Sequence, residues 1–150
     1  MRSSETLVEL FRQSGRKITP QRRAILESLV QDATHPTAEE IYQRVAATMP
    51  DMSRATVYNT LHELAALGGL IETHGFSEGC IRYDTNLNSH HHLFCVRCHT
   101  LVDIRHDFAE IALPSEEAVG YQVLRHQITF YGLCPTCWER ENEQVSQSSK

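Results

Sequence analysis

Two matched motifs, Cys95-Val96-Arg97-Cys98 and Cys134-Pro135-Thr136-Cys137, constrain this chain more than any other feature. Four thiolates in two C-x-x-C pairs can close a tetrahedral shell around one zinc ion. Residues 99–133 lie between the pairs, a longer stretch than the ~15–20 residues of a simple zinc ribbon. The ion would therefore staple a small α/β domain. The competing chemistry is a redox-active C-x-x-C, which normally uses one motif at a helix start rather than two. Compartment bears on the choice. No apolar run approaches the ~20 residues that cross a bilayer. Residues 1–15 carry Glu5 and Glu9 and no apolar core of a secretory signal. The expected location is cytoplasmic, with no membrane partner, and there reduced cysteines serve metals more often than disulfides. Cys80, the fifth cysteine, reads as a small hairpin residue.

Charge argues at first against a nucleic-acid partner, because the 150 residues carry a net −5. Its distribution answers the objection. Arg2, Arg12, Arg16, Lys17, Arg22 and Arg23 face only Glu5 and Glu9 in residues 1–23, a local net of +4. The acidic excess lies mostly after residue 83. A polyanion responds to the local field rather than to the total.

The first half reads as four helices and a hairpin. Leu7, Leu10 and Phe11 form an apolar stripe that Gly15 ends. Thr19-Pro20 opens a helix running to about Val30. Thr37 and Glu40 form a capping box for a helix with Ile41 and Val45 inward. Ser53 caps a fourth helix with Val57, Leu61, Leu64 and Leu67 on one face, ended by Gly68-Gly69. Residues 70–73 and 80–84 then read as two strands around a turn. The sum is a winged helix-turn-helix. Ala55, Tyr58, Asn59 and His62 point away from the apolar stripe of the fourth helix, and Arg54 at its start can meet a phosphate. The same face also suits an ordinary solvated helix.

The second half changes character, with a boundary within residues 84–89. Residues 92–96 and 101–104 read as strands, residues 122–131 as a longer one, and a charged helix starts near Trp138. Pro114 interrupts any helix in residues 107–118, and residues 145–150 read as a frayed polar tail. On an extended segment His90 and His92 share a face while His91 points away. Asp84 and Asp103, on flanking strands, can add oxygen. Such a nitrogen and oxygen set suits iron(II), manganese(II) or zinc and differs from the all-thiolate set. His35 alone reads as a turn residue before Pro36, and His126, on an apolar strand face, as a core histidine.

Several stretches together resemble the ferric-uptake-regulator family: Ile18-Thr19-Pro20-Gln21-Arg22, His35-Pro36-Thr37-Ala38-Glu39-Glu40-Ile41-Tyr42, Ser53-Arg54-Ala55-Thr56-Val57-Tyr58-Asn59-Thr60-Leu61, Arg82-Tyr83-Asp84, residues 90–98 and Tyr131-Gly132-Leu133-Cys134. The resemblance covers nearly the whole chain and implies an α+β protein, a dimeric repressor and no enzyme. Its N-terminal winged helix (residues 1–84) would be joined by a hinge (85–89) to a metal-binding α/β dimerisation domain (90–150). It further implies structural zinc on Cys95, Cys98, Cys134 and Cys137. Within the family the chain is most similar to the peroxide-sensing branch, whose iron(II) or manganese(II) site maps to His35, Asp84, His90, His92 and Asp103. The iron-sensing branch usually has glutamate at the place of Asp103, and many iron sensors have arginine at that of Asn59. The branch implies oxidation of His35 or His90 by peroxide. A second site of iron and zinc sensors would map to His91, Glu110 and His126, but Ser89 replaces a histidine often found there. His99 stands where the family usually has glycine and raises an extra metal contact or an altered knuckle.

The homodimer would bind double-stranded operator DNA, with Lys17, Arg22 and Arg54 on phosphates and Tyr58 and Asn59 toward bases. The alternatives are an iron- or zinc-responsive uptake repressor on the same scaffold, a metal-dependent hydrolase at His90 and His92, and a zinc-stapled interaction module. A hydrolase would leave the winged helix unexplained and lacks a placed general base.

Overall fold

Ser and Thr side chains take over an orphan backbone N–H at the start of each of the first four helices. In the computed structural model, which describes residues 2–74, 81–124 and 126–148, Ser3 caps α1 (Ser4–Gln13) by accepting from Thr6 N at 3.2 Å. Thr19 caps α2 (Pro20–Val30) by accepting from Arg22 N, with proline at the first helical position. Thr37 and Glu40 form the complete capping box of α3 (Ala38–Ala46), with Thr37 N donating to Glu40 Oε2 at 2.7 Å. Ser53 caps α4 (Arg54–Ala66). The C-termini of α1 and α4 close in the same way. Gly68 N donates to Ala65 O and Gly69 N to Leu64 O, with Gly68 at φ +67°. Gly15 N and Arg16 N repeat the pattern on Arg12 O and Phe11 O, with Gly15 at φ +76°. This paired closure needs a left-handed residue, which only glycine adopts without cost.

The chain divides into two units, residues 1–87 and 88–150. In the first, Leu7, Val8 and Phe11 of α1, Ile25, Leu26 and Leu29 of α2, Ile41 and Val45 of α3, and Val57, Leu61 and Leu64 of α4 form one buried cluster. Each such side chain contributes about 1.5–3 kcal/mol on leaving water. Val8 rather than Leu10 completes the α1 stripe, and Leu10 is only partly buried. Strands β1 (Ile71–Thr73) and β2 (Arg82–Asp84) pair antiparallel, Ile71 opposite Asp84 and Thr73 opposite Arg82. This is the expected wing; its turn and Cys80 lie outside the described residues. Arg82 also bridges to Thr37, and Tyr83 N donates to Pro36 O at 3.1 Å. The wing is thereby tied to the turn that carries His35.

In the second unit β3 (His91–Cys95) is the middle strand of three. It pairs antiparallel with β4 (Leu101–Ile104) and parallel with β5 (Thr129–Gly132). A short α5 (Ser115–Ala118) follows Pro114, and α6 (Pro135–Ser148) follows the second C-x-x-C. The mixed helix and sheet architecture is the expected α+β fold. Two details differ from expectation. The strand over residues 122–131 is confined to 129–132, and among the described residues 121–124 and 126–128 none is in a strand. A strand needs a partner ladder, and β3 offers its free edge only along residues 92–95. Tyr121 and Leu124 are 82% and 86% exposed, so alternation marked an uncovered apolar segment rather than a paired one. Helix α6 also continues through residues 145–148, where a frayed tail was expected.

Candidate metal centres and nucleic-acid face

The register of the parallel pair explains how two distant C-x-x-C motifs meet. Cys95 closes β3 opposite Gly132 of β5, so the chain leaving β5 delivers Cys134 beside Cys95. The turn from β3 to β4 supplies Cys98, and the first turn of α6 supplies Cys137. One ligand atom from each of the four cysteines lies within 4.8 Å of the others. Cys98 Sγ and Cys134 Sγ are 3.7 Å apart, which matches the ~3.8 Å edge of a tetrahedron with ~2.3 Å zinc–sulfur arms.

The donors around the sulfurs fit thiolates. Burial raises the Cys95 pKa, but backbone N–H groups of Cys98, Cys134 and Arg97 outweigh it and bring it down to about 6. Cys134 N donates to Cys95 Sγ at 3.3 Å. The Thr100 hydroxyl, 3.2 Å from Cys98 Sγ, is the main cause of a lowered Cys98 pKa. Cys137 is pushed up to about 12, first by its hydrogen bond to Cys134 and then by burial. Four crowded sulfurs cannot all ionise without a cation among them, and a divalent zinc ion supplies that charge. The tetrad fits a structural zinc. His99, at φ +61°, sits in the turn after Cys98 and stacks on Phe94, with centroids 5.8 Å apart. Its ring therefore packs on the sheet, and its backbone takes the left-handed conformation that a glycine would take freely.

The nitrogen and oxygen donors fall into two sets, one in each unit. In the first unit His35 Nδ1 lies 3.4 Å from Asp84 Oδ1, with both side chains buried. His35 has φ +52°, a conformation that costs a non-glycine residue about 1–3 kcal/mol and persists only where its surroundings enforce it. The enforcer is Arg82, whose Nη1 donates to His35 O at 2.9 Å. Neither strain nor brace is legible in the sequence, because both depend on where the wing packs.

In the second unit His90 Nε2 and His92 Nε2 are 3.0 Å apart, and Asp103 Oδ1 lies 3.3 and 3.7 Å from them. Cross-strand pairing of His92 with Asp103 sets this geometry. Neighbouring ligand atoms about 3 Å apart suit one ion with ~2.1 Å arms. His90 Nδ1 is 2.7 Å from Asn88 O, to which it donates as N–H, leaving Nε2 as the lone-pair donor. The Gln127 amide lies 3.2 Å from His92 Nδ1 and holds the other ring. Sequence reasoning missed Gln127; a hydrogen-bonding residue within the expected strand over 122–131 was its only signal.

The further site mapped to His91, Glu110 and His126 is not assembled among the described residues. Ile128 N donates to His91 Nδ1 at 3.0 Å, and the His91 ring stacks on His126 and abuts Phe108. Among the described residues His91, Glu110 and His126 do not bring three ligand atoms within 4.8 Å of one another. His126 is exposed rather than a core histidine, since it belongs to the uncovered segment and not to a strand face.

On the first unit Ala55, Tyr58, Asn59 and His62 are exposed along α4, as expected. The basic residues are more engaged than the sequence suggested. Arg22 Nη2 donates to Glu63 at 2.7 Å and Nη1 to Lys17 O at 3.0 Å, and its guanidinium lies over the Phe11 ring. It braces the loop that presents Lys17. Arg54 is held by Glu39. Lys17 has no carboxylate within ion-pair distance among the described residues. It lines an open concavity with Arg12, Arg16 and Arg23 beside the start of α2.

Residues 13–131 match the sequence model of the Ferric uptake regulator family. The chain belongs to that family. Family members are metal-responsive transcriptional regulators, not enzymes. The chain is 34% identical over 137 residues to the peroxide-responsive repressor PerR of Staphylococcus aureus, covering 91% of this chain and 92% of the relative. Among solved structures it is similar to a zinc-bound manganese uptake regulator, with TM-score 0.70, 29% identity and coverage of 86% and 98%. It is also similar to PerR from Streptococcus pyogenes, a structure concerned with peroxide sensing and gene regulation, with TM-score 0.53, 33% identity and coverage of 91% and 94%. The Helicobacter pylori ferric uptake regulator Fur shares the fold, with TM-score 0.71 at 21% identity over 91% and 95% of the two chains. Among the described residues no helix is long and apolar enough to cross a membrane.

Proposed function

We propose that this chain is a cytoplasmic, metal-dependent repressor that releases operator DNA on exposure to hydrogen peroxide. One observation carries the reading: His90, His92 and Asp103 converge as a nitrogen and oxygen half-site free of sulfur. His35 with Asp84 is the complementary half-site. Only residues 85–89 separate Asp84 from His90, so the chain limits their distance to ~20 Å. One iron(II) or manganese(II) ion shared by the five residues would tie the two units together and bias the hinge between them. The aspartate at 103 and the similarity to PerR favour the peroxide-sensing branch over iron or zinc uptake control.

The five residues would leave an open position, and bound iron(II) would supply reactivity toward the O–O bond of peroxide there. Among the imidazoles that would line that position, His35 and His90 are the ones that similarity to the peroxide-sensing branch assigns to oxidation. An imidazole C–H becomes C–OH, taking one peroxide oxygen, while the other leaves as water. The oxidised ring would be a poorer ligand, so the five residues would hold the metal less well and the DNA-binding geometry would relax. Two copies would place two α4 helices on a near-palindromic operator. The exposed apolar side chains of Tyr121, Val123 and Leu124 form the kind of surface that a second copy covers.

Mass spectrometry of the iron-loaded chain after peroxide should find one added oxygen on the peptide containing His35 or His90. Oxygen confined to methionine or cysteine would sink the mechanism. DNA binding that follows iron or zinc supply and ignores peroxide would instead identify an uptake repressor.

A further inference from the structure

Arg54 opens α4, and two neighbours determine how it can be used. Its Nε and Nη2 donate to Glu39 Oε2 and Oε1, both at 2.8 Å. Its guanidinium carbon sits 4.3 Å from the centroid of the Tyr42 ring. The side chain nevertheless remains 60% exposed. A guanidinium has five N–H donors in one plane. Glu39 takes the side edge, so the end edge, Nη1 and the second hydrogen of Nη2, still points two parallel donors at solvent. Stacking on Tyr42 sets the plane, and the carboxylate stops rotation within it.

That arrangement suits one kind of nucleic-acid contact better than another. Phosphate attraction scales with net charge and released counterions. The Arg54–Glu39 pair is close to neutral, which makes it a weak phosphate anchor. Lys17, with no carboxylate in reach among the described residues, is the contrast. A fork of two donors with fixed plane and direction is what the O6 and N7 acceptors of guanine require in the major groove. The first turn of a recognition helix is also where base edges are met. Tyr58 lies one helical turn further on the same face and is exposed.

We propose that Arg54 reads a guanine in each half-site, with Glu39 and Tyr42 as positioning residues that hold its fork. This rests on the DNA-binding reading above. It assigns Arg54 a part in sequence choice rather than the phosphate contact expected from the sequence.

The test selects binders from a duplex library with a randomised window, using the manganese(II)-loaded full chain at fixed salt. The unmodified chain should enrich guanine at one position per half-site, by about tenfold over other bases. Arg54→Ala and Arg54→Lys should lose that preference while keeping the remaining positions; lysine lacks the planar fork. Glu39→Ala should lower it severalfold while binding to non-cognate duplex stays the same or strengthens, which a merely structural defect would not produce. Tyr42→Phe keeps the ring and should keep the preference. Circular dichroism of each variant checks that the helices remain. Uniform weakening by Arg54→Ala with unchanged base preferences and a salt slope lower by about one would overturn the proposal in favour of a phosphate anchor. An unaltered preference in Glu39→Ala would overturn the role of Glu39. A chain that binds no duplex in any metal form would remove the DNA-binding reading itself, and this one with it.

Discussion

Arg82 offers a sharp test of how the wing supports His35. Its side chain is 6% exposed; Nη1 lies 2.9 Å from His35 O, 3.5 Å from Thr34 O and 3.6 Å from Glu40 Oε2. Arg82→Met keeps the aliphatic bulk and removes the donors. The buried His35 carbonyl then loses its charged partner, at about 3 kcal/mol, the upper end for a bond to a charged group. The strained His35 backbone can also relax from φ +52°, which returns part of that cost. The expected net is about 2 kcal/mol. It should be local, because the Thr37–Glu40 capping box makes its own bonds at 2.7 and 3.2 Å. The reporter is amide hydrogen exchange at Tyr83, whose N–H is bonded to Pro36 O. A 2 kcal/mol loss lowers its protection by about 30-fold. Protection at Leu29 and other sites in the middle of α2 should change much less. Manganese(II) affinity, measured in parallel, should fall about tenfold as the ligand loosens. A change in Tyr83 protection below threefold (~0.6 kcal/mol) would refute the bracing argument. Altered protection with unchanged manganese affinity would confine Arg82 to folding.

Three further outcomes follow from specific geometry. Removing zinc with a strong chelator should unfold β3–β5 and the start of α6 while α1–α4 keep their circular dichroism, because among the described residues the cluster of the first unit holds no cysteine; simultaneous loss of both units would contradict this. Gly69→Ala should destabilise the first unit by about 1–3 kcal/mol, since a Cβ there would lie 2.3 Å from Leu64 Cδ1 and 2.9 Å from Leu10 Cδ2; a denaturation midpoint equal to that of the parent would show that the contact yields freely. Lys17→Ala should weaken binding to all duplexes and lower the salt slope by about one. A changed base preference at constant slope would show Lys17 to be a reader.

The patterns that survived into the structure are those written locally. Thr19-Pro20, Thr37 with Glu40, and Ser53 with Gly68-Gly69 placed α2, α3 and α4 because a cap acts on N–H or C=O groups within one turn of itself. The paired C-x-x-C motifs announced a thiolate metal site because each supplies two ligands whatever its surroundings. The His90/His92 pair was legible from the period of an extended segment.

Tertiary structure decided the rest, for reasons of packing and partner choice. Whether residues 122–131 formed a strand depended on how much of the β3 edge was available, and alternation along one segment cannot report the length of its partner. His35 is held in its left-handed conformation because β2 brings Arg82 against its carbonyl. Arg22 and Arg54 read as free cations in the sequence, yet Glu63 and Glu39, far along the chain but near in space, redirect both guanidiniums. Composition can count charges, but only the fold pairs them. In this chain that pairing separates the cation suited to phosphate, Lys17, from the one shaped to read a base, Arg54.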